Sequence, residues 1–242
     1  MTTTELPPPD DYINDKPMPL TEHLRELRDR SIRALLALAV TTIIGSAFAG
    51  RFLEILERPL LLKPQAITPT ETIVVYFKVA LILGIALAMP VILYEVIAFL
   101  LPGLTRREKQ YLFFFIPAGT LLFIAGLLFA AFIALPAALR FLQYFGRSYA
   151  EIQWTLSSYV SFVTTVLLWN GLGFQTPLVI FILAKLDIVK YETLRKNWRW
   201  AFLISAILAA IITPTPDPFN MSIVMLPLFF LYLLGVLLAR FA

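Results

Sequence analysis

Apolar residues in this chain gather into six long runs, separated by short polar and basic segments. The runs cover about residues 32–49, 73–101, 111–135, 160–186, 200–212 and 223–239. A spanning helix needs about 20 apolar residues, rising about 1.5 Å each, to cross a core of about 30 Å. The pattern therefore predicts an all-α, polytopic integral membrane protein: one six-helix domain over residues 20–242. The fifth run is the short one, since 13 residues rise only about 20 Å. Two arrangements fit it: a re-entrant hairpin with the sixth run, or two spans that thin the bilayer locally. Trp198 and Trp200 favour the second, because tryptophan anchors helices at the interface. Pro90, Pro117 and Pro177 lie inside runs, where neighbouring helices can satisfy a freed carbonyl.

Residues 1–19 are polar, acidic and rich in proline (Pro7, Pro8, Pro9). They read as a disordered tail and not as a cleavable signal peptide, because no small-residue cleavage site follows a short apolar core. Composition agrees with a membrane chain: hydrophobic residues make up 59% and mean hydropathy is +0.80. Of the 20 lysines and arginines, fourteen fall in the tail, the loops after runs 2 and 4, and the C-terminus. Five (Arg51, Arg58, Lys63, Arg140 and Arg147) fall on the other side, and Lys78 lies inside run 2. The positive-inside rule puts both termini in the cytoplasm. The pI of 9.4 is thus a topology signal and no sign of a nucleic-acid partner.

Little here could perform covalent chemistry. Cysteine is absent and His23 is the one histidine, which reads as solvated. That excludes disulfides, thiol chemistry and multi-histidine metal sites. No glycine-rich phosphate loop or nucleophile elbow occurs, so neither an enzyme nor a cofactor is expected. No internal repeat is evident, which weakens an inverted-repeat transporter.

Two charged stretches share the cytoplasmic side by helix parity. In Leu20–Arg30, Leu20, Leu24 and Leu27 recur at helical spacing, predicting an amphipathic helix lying on the membrane and leading into run 1. The other stretch, Phe99–Lys109, is the turn between runs 2 and 3. Each holds an acid among bases: Glu26 beside Arg25, Arg28 and Arg30, and Glu108 beside Arg106, Arg107 and Lys109. Local pairing, such as Glu26 with Arg30 at i,i+4, is one reading. A two-carboxylate receptor for a doubly basic ligand is the other, since a carboxylate matches guanidinium two by two.

Inside the bilayer, Glu95 lies about 9 Å and Gln175 about 16 Å from the cytoplasmic face. An ionisable group at depth costs about 3 kcal/mol or more and is a functional candidate by default. Protonation of Glu95 is one way to lower that cost; interhelical hydrogen bonding of Glu95 and Asn170 is the plainer role. A proton-coupled secondary transporter of a small solute, with Glu95 as proton carrier, is the alternative function. Asp217, in the Thr213-Pro214-Thr215-Pro216-Asp217-Pro218 turn, suits turn stabilisation better than a transfer step.

Several segments together resemble one family. They are His23–Arg30 (HLRELRDR), Glu57-Arg58-Pro59-Leu60, Pro90–Tyr94, Ala98–Leu104 with Arg106 and Glu108, Ser158–Phe162, Gly173–Pro177, and Thr213-Pro214 with Asp217. The chain is similar from about residue 20 to 241 to the TatC family, the receptors of twin-arginine protein translocation. The resemblance implies a six-helix bundle with a concave groove facing the membrane of a bacterial-type inner membrane. It implies that Glu26 and Glu108 recognise a signal peptide's arginine pair. Arg28, Phe99, Leu104 and Arg106 then fall at supporting or neighbouring positions. It also implies that Pro59 and Asp217 are linked to transport on the outer side. Its partners would be TatA-type and TatB-type single-span subunits, further copies of this chain, and twin-arginine preproteins moved by the proton-motive force. One departure stands out: the family usually carries an acid at the position of Gln175 and commonly an amide at that of Glu95. Their similar depth suggests that either helix can supply one groove acid. Glu95→Gln would then impair transport, and Gln175→Glu would restore it.

Overall fold

In a computed structural model, the protein is described over residues 20–58, 60, 63–100, 106–145, 153–213 and 217–241. Its elements are α1 (Leu20–Glu57), α2 (Glu71–Leu100), α3 (Arg106–Phe129), a π-helical turn (Ala130–Ala134) and α4 (Leu135–Phe145). These are followed by α5 (Leu156–Gly173), α6 (Thr176–Lys185), α7 (Tyr191–Lys196), α8 (Trp198–Ile212) and α9 (Pro218–Ala239). Five apolar stretches have the length of a membrane span, and Trp198–Ile212 is the short sixth. The expected tail, 1–19, lies outside the described residues.

The N-terminal amphipathic segment differs from the expected helix lying on the membrane. It does not form a separate surface helix; α1 runs unbroken for 38 residues from Leu20. Neither proline nor glycine occurs between Leu20 and Ile44 to end a helix. Leu24 and Leu27 remain exposed on it. The third run also continues past residue 135. Pro136 has no N–H to donate, and the preceding turn widens so that the Leu135 N–H bonds to the Ala130 carbonyl, five residues back. The chain thereby stays helical to Phe145.

The fourth run is divided between α5 and α6. Pro177 withholds the N–H that the Gly173 carbonyl needs, and the Thr176 hydroxyl donates to it instead at 2.6 Å. Thr155 caps the start of α5, accepting from the Ser158 N–H at 3.2 Å.

Helices α1 and α2 pack closely through small residues. A Cβ on Gly84 would come within 2.8 Å of Thr42 Cα, and one on Gly45 within 2.9 Å of the Ala80 carbonyl oxygen. The Thr41 hydroxyl donates across this contact to the Gly84 carbonyl at 2.9 Å. Small residues with hydroxyl donors are how helices approach where no water drives them together. Two buried clusters complete the interior. Val75, Val79, Tyr159, Val160 and Val163 belong to the larger. Met89, Leu93, Ile97, Phe123, Leu178 and Ile182 form the smaller, where α2, α3 and α6 meet beside Glu95. Exposed Leu36, Ile43 and Phe48 suit a lipid environment.

Candidate functional site

The wall between α1 and the end of α2 gathers much of the chemistry. On α1, His23, Glu26 and Arg30 recur at helical spacing and so share a face. On α2, Glu95 and Phe99 do the same. His23 stacks on Phe99 with ring centroids 4.6 Å apart and planes at 21°. The histidine read as solvated is thus half-buried on an aromatic ring.

One turn further along, Arg30 spans two carboxylates. Its Nη2 and Nε donate to Glu26 Oε1 at 2.7 and 2.9 Å, and its Nη1 donates to Glu95 Oε2 at 3.1 Å. Side-chain exposures of 20% for Arg30, 23% for Glu26 and 8% for Glu95 show that the second pair is the deeper one. Arg33 Nη1 lies 3.9 Å from Glu95 Oε1 but is largely exposed. Glu95 is therefore ion-paired with α1, the interhelical bonding that was its plainer expected role, and the guanidinium offsets the burial of its charge. The i,i+4 pairing of Glu26 with Arg30 is present as expected. The bond to Glu95, 65 residues away, carried no signal in the sequence.

Arg28 turns elsewhere, pairing with Asp29 at 3.0 Å on the exposed side. Arg106 and Glu108 lie in the first turn of α3; Leu104 and Pro59 lie outside the described residues. A five-residue connection joins α2 to α3, so the α3 start lies within about 20 Å of the α2 end.

Gln175 and Glu95 bond to different elements. Gln175 is buried between α6 and α3, its Nε2 donating to the Gly119 carbonyl at 2.8 Å. Its Oε1 has no partner among the described residues. Asn170 was expected to bridge helices. Its Nδ2 bonds back within α5, to the Val166 carbonyl at 2.8 Å. Asp217 caps α9, accepting from the N–H groups of Phe219 at 3.1 Å and Asn220 at 2.9 Å.

The opposite face holds a cluster that sequence reasoning missed. Glu71 Oε2 accepts from the N–H groups of Ile67 at 2.8 Å and Thr68 at 3.4 Å, and Oε1 from that of Ser157 at 2.5 Å. Beside it, Gln65 exchanges two backbone bonds with the α4–α5 loop: its N–H to the Trp154 carbonyl and its carbonyl from the Leu156 N–H, both 2.9 Å. The Tyr159 hydroxyl donates to the Leu56 carbonyl, and Lys78 Nζ to Ser161 Oγ at 2.8 Å. Two loops are thereby tied into one surface. Thr68 followed three residues later by Glu71 has the spacing of a capping box, a signal that was available.

A bundle of apolar helices with a shared-arginine carboxylate cluster at one end and tied loops at the other is a helical membrane protein. Among the described residues no group of His, Cys, Asp and Glu suits a metal ion. The profile of the Sec-independent protein translocase protein (TatC) family matches residues 22–227. A TatC of Carboxydothermus hydrogenoformans is 39% identical, over 95% of this chain and 96% of that protein. The chloroplastic TATC of Arabidopsis thaliana is 34% identical, over 97% of this chain and 70% of its own length. A crystal structure of the twin-arginine translocase receptor TatC superposes with a TM-score of 0.77 at 33% identity, covering 90% of this chain and 98% of that one. The chain belongs to the TatC family of Sec-independent protein translocase proteins.

Proposed function

We propose that this chain is the receptor subunit of a twin-arginine translocation system. It binds the arginine pair of a signal peptide at Glu26 and Glu108, and the apolar segment that follows lies against the intramembrane surface. The observation that carries this reading is the likeness, over 90% of the chain, to a solved twin-arginine receptor. The acid-bearing α1–α2 wall supports it, since a carboxylate with a guanidinium already on one oxygen still offers acceptor sites on the other. Phe99, stacked on His23, adds an apolar platform one turn from Glu26. By family resemblance, Arg28, Phe99, Leu104 and Arg106 assist recognition, and Pro59 and Asp217 serve transport. The docking face is cytoplasmic in a bacterial-type inner membrane. Bound preprotein recruits TatA-type and TatB-type subunits to further copies of this chain, and the proton-motive force drives export. No covalent step is involved.

The transporter alternative loses its main support, because its proposed proton carrier, Glu95, is held by Arg30. The test is binding of a twin-arginine signal peptide to the detergent-purified chain, beside a twin-lysine control. Arginine-selective binding that Glu26→Ala and Glu108→Ala weaken is the expected outcome, and Glu108→Lys abolishes export in cells. Equal binding of both peptides, or full export by Glu108→Lys, overturns the site.

A further inference from the structure

Resting on that receptor reading, we infer that Glu95 is a positioning residue: it balances Arg30 and so keeps Glu26 negative enough to receive an incoming guanidinium. Arg30 lies one turn from Glu26 on the same helix and donates two bonds to it. Such a pair alone is electrically neutral, and a neutralised carboxylate attracts a cation weakly. Glu95 changes the count. Two carboxylates around one guanidinium leave one negative charge on the cluster.

Of the neighbouring bases, Arg25 is exposed on α1, so water and salt screen it. Arg28 is balanced by Asp29 at 3.0 Å. Arg33 approaches Glu95 only to 3.9 Å and is 63% exposed, so water and salt screen it. Glu95 itself is buried beside the α2–α3–α6 cluster, where a charge is felt more strongly than in water. Both bonds from Arg30 fall on Oε1 of Glu26. Arg30 donates to neither lone pair of Oε2, the oxygen left to meet a ligand's demand for a second acceptor. Glu95 thus sets the affinity of the docking acid without touching the ligand.

The test uses the full chain in lipid nanodiscs and a fluorescent peptide carrying two consecutive arginines before an apolar run. Glu95→Gln is expected to raise Kd about tenfold. Adding Arg30→Gln removes both charges, leaves Glu26 unneutralised, and returns Kd to within about threefold of the parent. Adding Gln175→Glu to Glu95→Gln restores nothing, because that side chain bonds to α3 and not to Arg30. A purely structural role for Glu95 predicts the reverse for the Arg30→Gln combination: a lower unfolding midpoint and no recovery of binding. Unchanged Kd in Glu95→Gln, or no recovery in folded double variant, overturns the inference while a Glu26→Ala loss keeps the receptor reading intact. If Glu26→Ala binds like the parent, both fail. Should Glu95→Gln not fold, the doubly neutral variant decides alone: parent-like Kd supports the charge balance, and lost binding refutes it.

Discussion

Asp217 illustrates how one side chain can carry a structural and a functional demand that different substitutions separate. Its carboxylate accepts from two N–H groups at the start of α9, and Pro218 follows at the first helical position. Losing such a cap costs about 1 kcal/mol, whereas asparagine caps about as well as aspartate. Asp217→Ala should therefore lower the thermal unfolding midpoint in detergent, and Asp217→Asn should leave it nearly unchanged. If transport needs the charge, Asp217→Asn will be stable and export-deficient; equal loss of stability in both variants contradicts the capping role. The neighbourhood of Glu26 shows what a single sequence can reveal at this scale. Its bond to Arg30 was legible because helical spacing brings i and i+4 together. The bond from Arg30 to Glu95 was not, because nothing local fixes which residue of α2 faces which residue of α1. His23 was misread for the same reason: its partner, Phe99, lies on another helix.

Among elements, the α1–α2 pair depends on glycine at one contact and not at another. A Cβ on Gly84 would press on the Thr42 backbone, whereas one on Gly50 would meet nothing within 4 Å. Overpacking of this kind typically costs about 1–3 kcal/mol. In an open helical position, alanine is favoured over glycine by about 0.5–1 kcal/mol. Gly84→Ala should lower the unfolding midpoint and Gly50→Ala should hold or raise it, measured side by side in the same detergent. Equal effects of the two would mean that α1 and α2 do not approach as closely as described. Apolar run length made the spans readable, since bilayer thickness dictates it. Their irregularities were less so. The break at Gln175 was prefigured by Pro177, but the Thr176 bond that satisfies Gly173 depends on a side-chain rotamer. At Pro136 the chain had a choice between ending and widening by one residue. Packing of the π-helical turn against the larger core settled that, with Ala130 and Ala134 both buried.

At the scale of the whole molecule, two faces with different chemistry are held apart by the bundle. One bears the shared-arginine site; the other is tied by Glu71, by the Gln65 backbone bonds and by Tyr159. Six crossings return the chain to the side from which it started, provided that α8 crosses despite its 15 residues. At about 1.5 Å per residue α8 rises about 22 Å, so the bilayer must thin there or its ends must be anchored by Trp198 and Trp200. Charge then fixes which side is which. The side with the N-terminal stretch, the α2–α3 turn and the α6–α8 segment holds fourteen of the twenty basic residues, against five opposite. That imbalance predicts that both ends, and with them Glu26 and Glu108, face the cytoplasm. A green fluorescent protein fused after Ala242 should glow, because it folds there, and alkaline phosphatase at the same point should stay inactive. A phosphatase inserted in the α4–α5 loop should be active. Activity of the C-terminal phosphatase would show that α9 crosses while α8 does not, or that the molecule is inverted, and the α4–α5 insertion separates the two. It stays active if only α8 fails to cross and falls silent if the whole bundle is reversed, in which case the acids could not meet a preprotein before export.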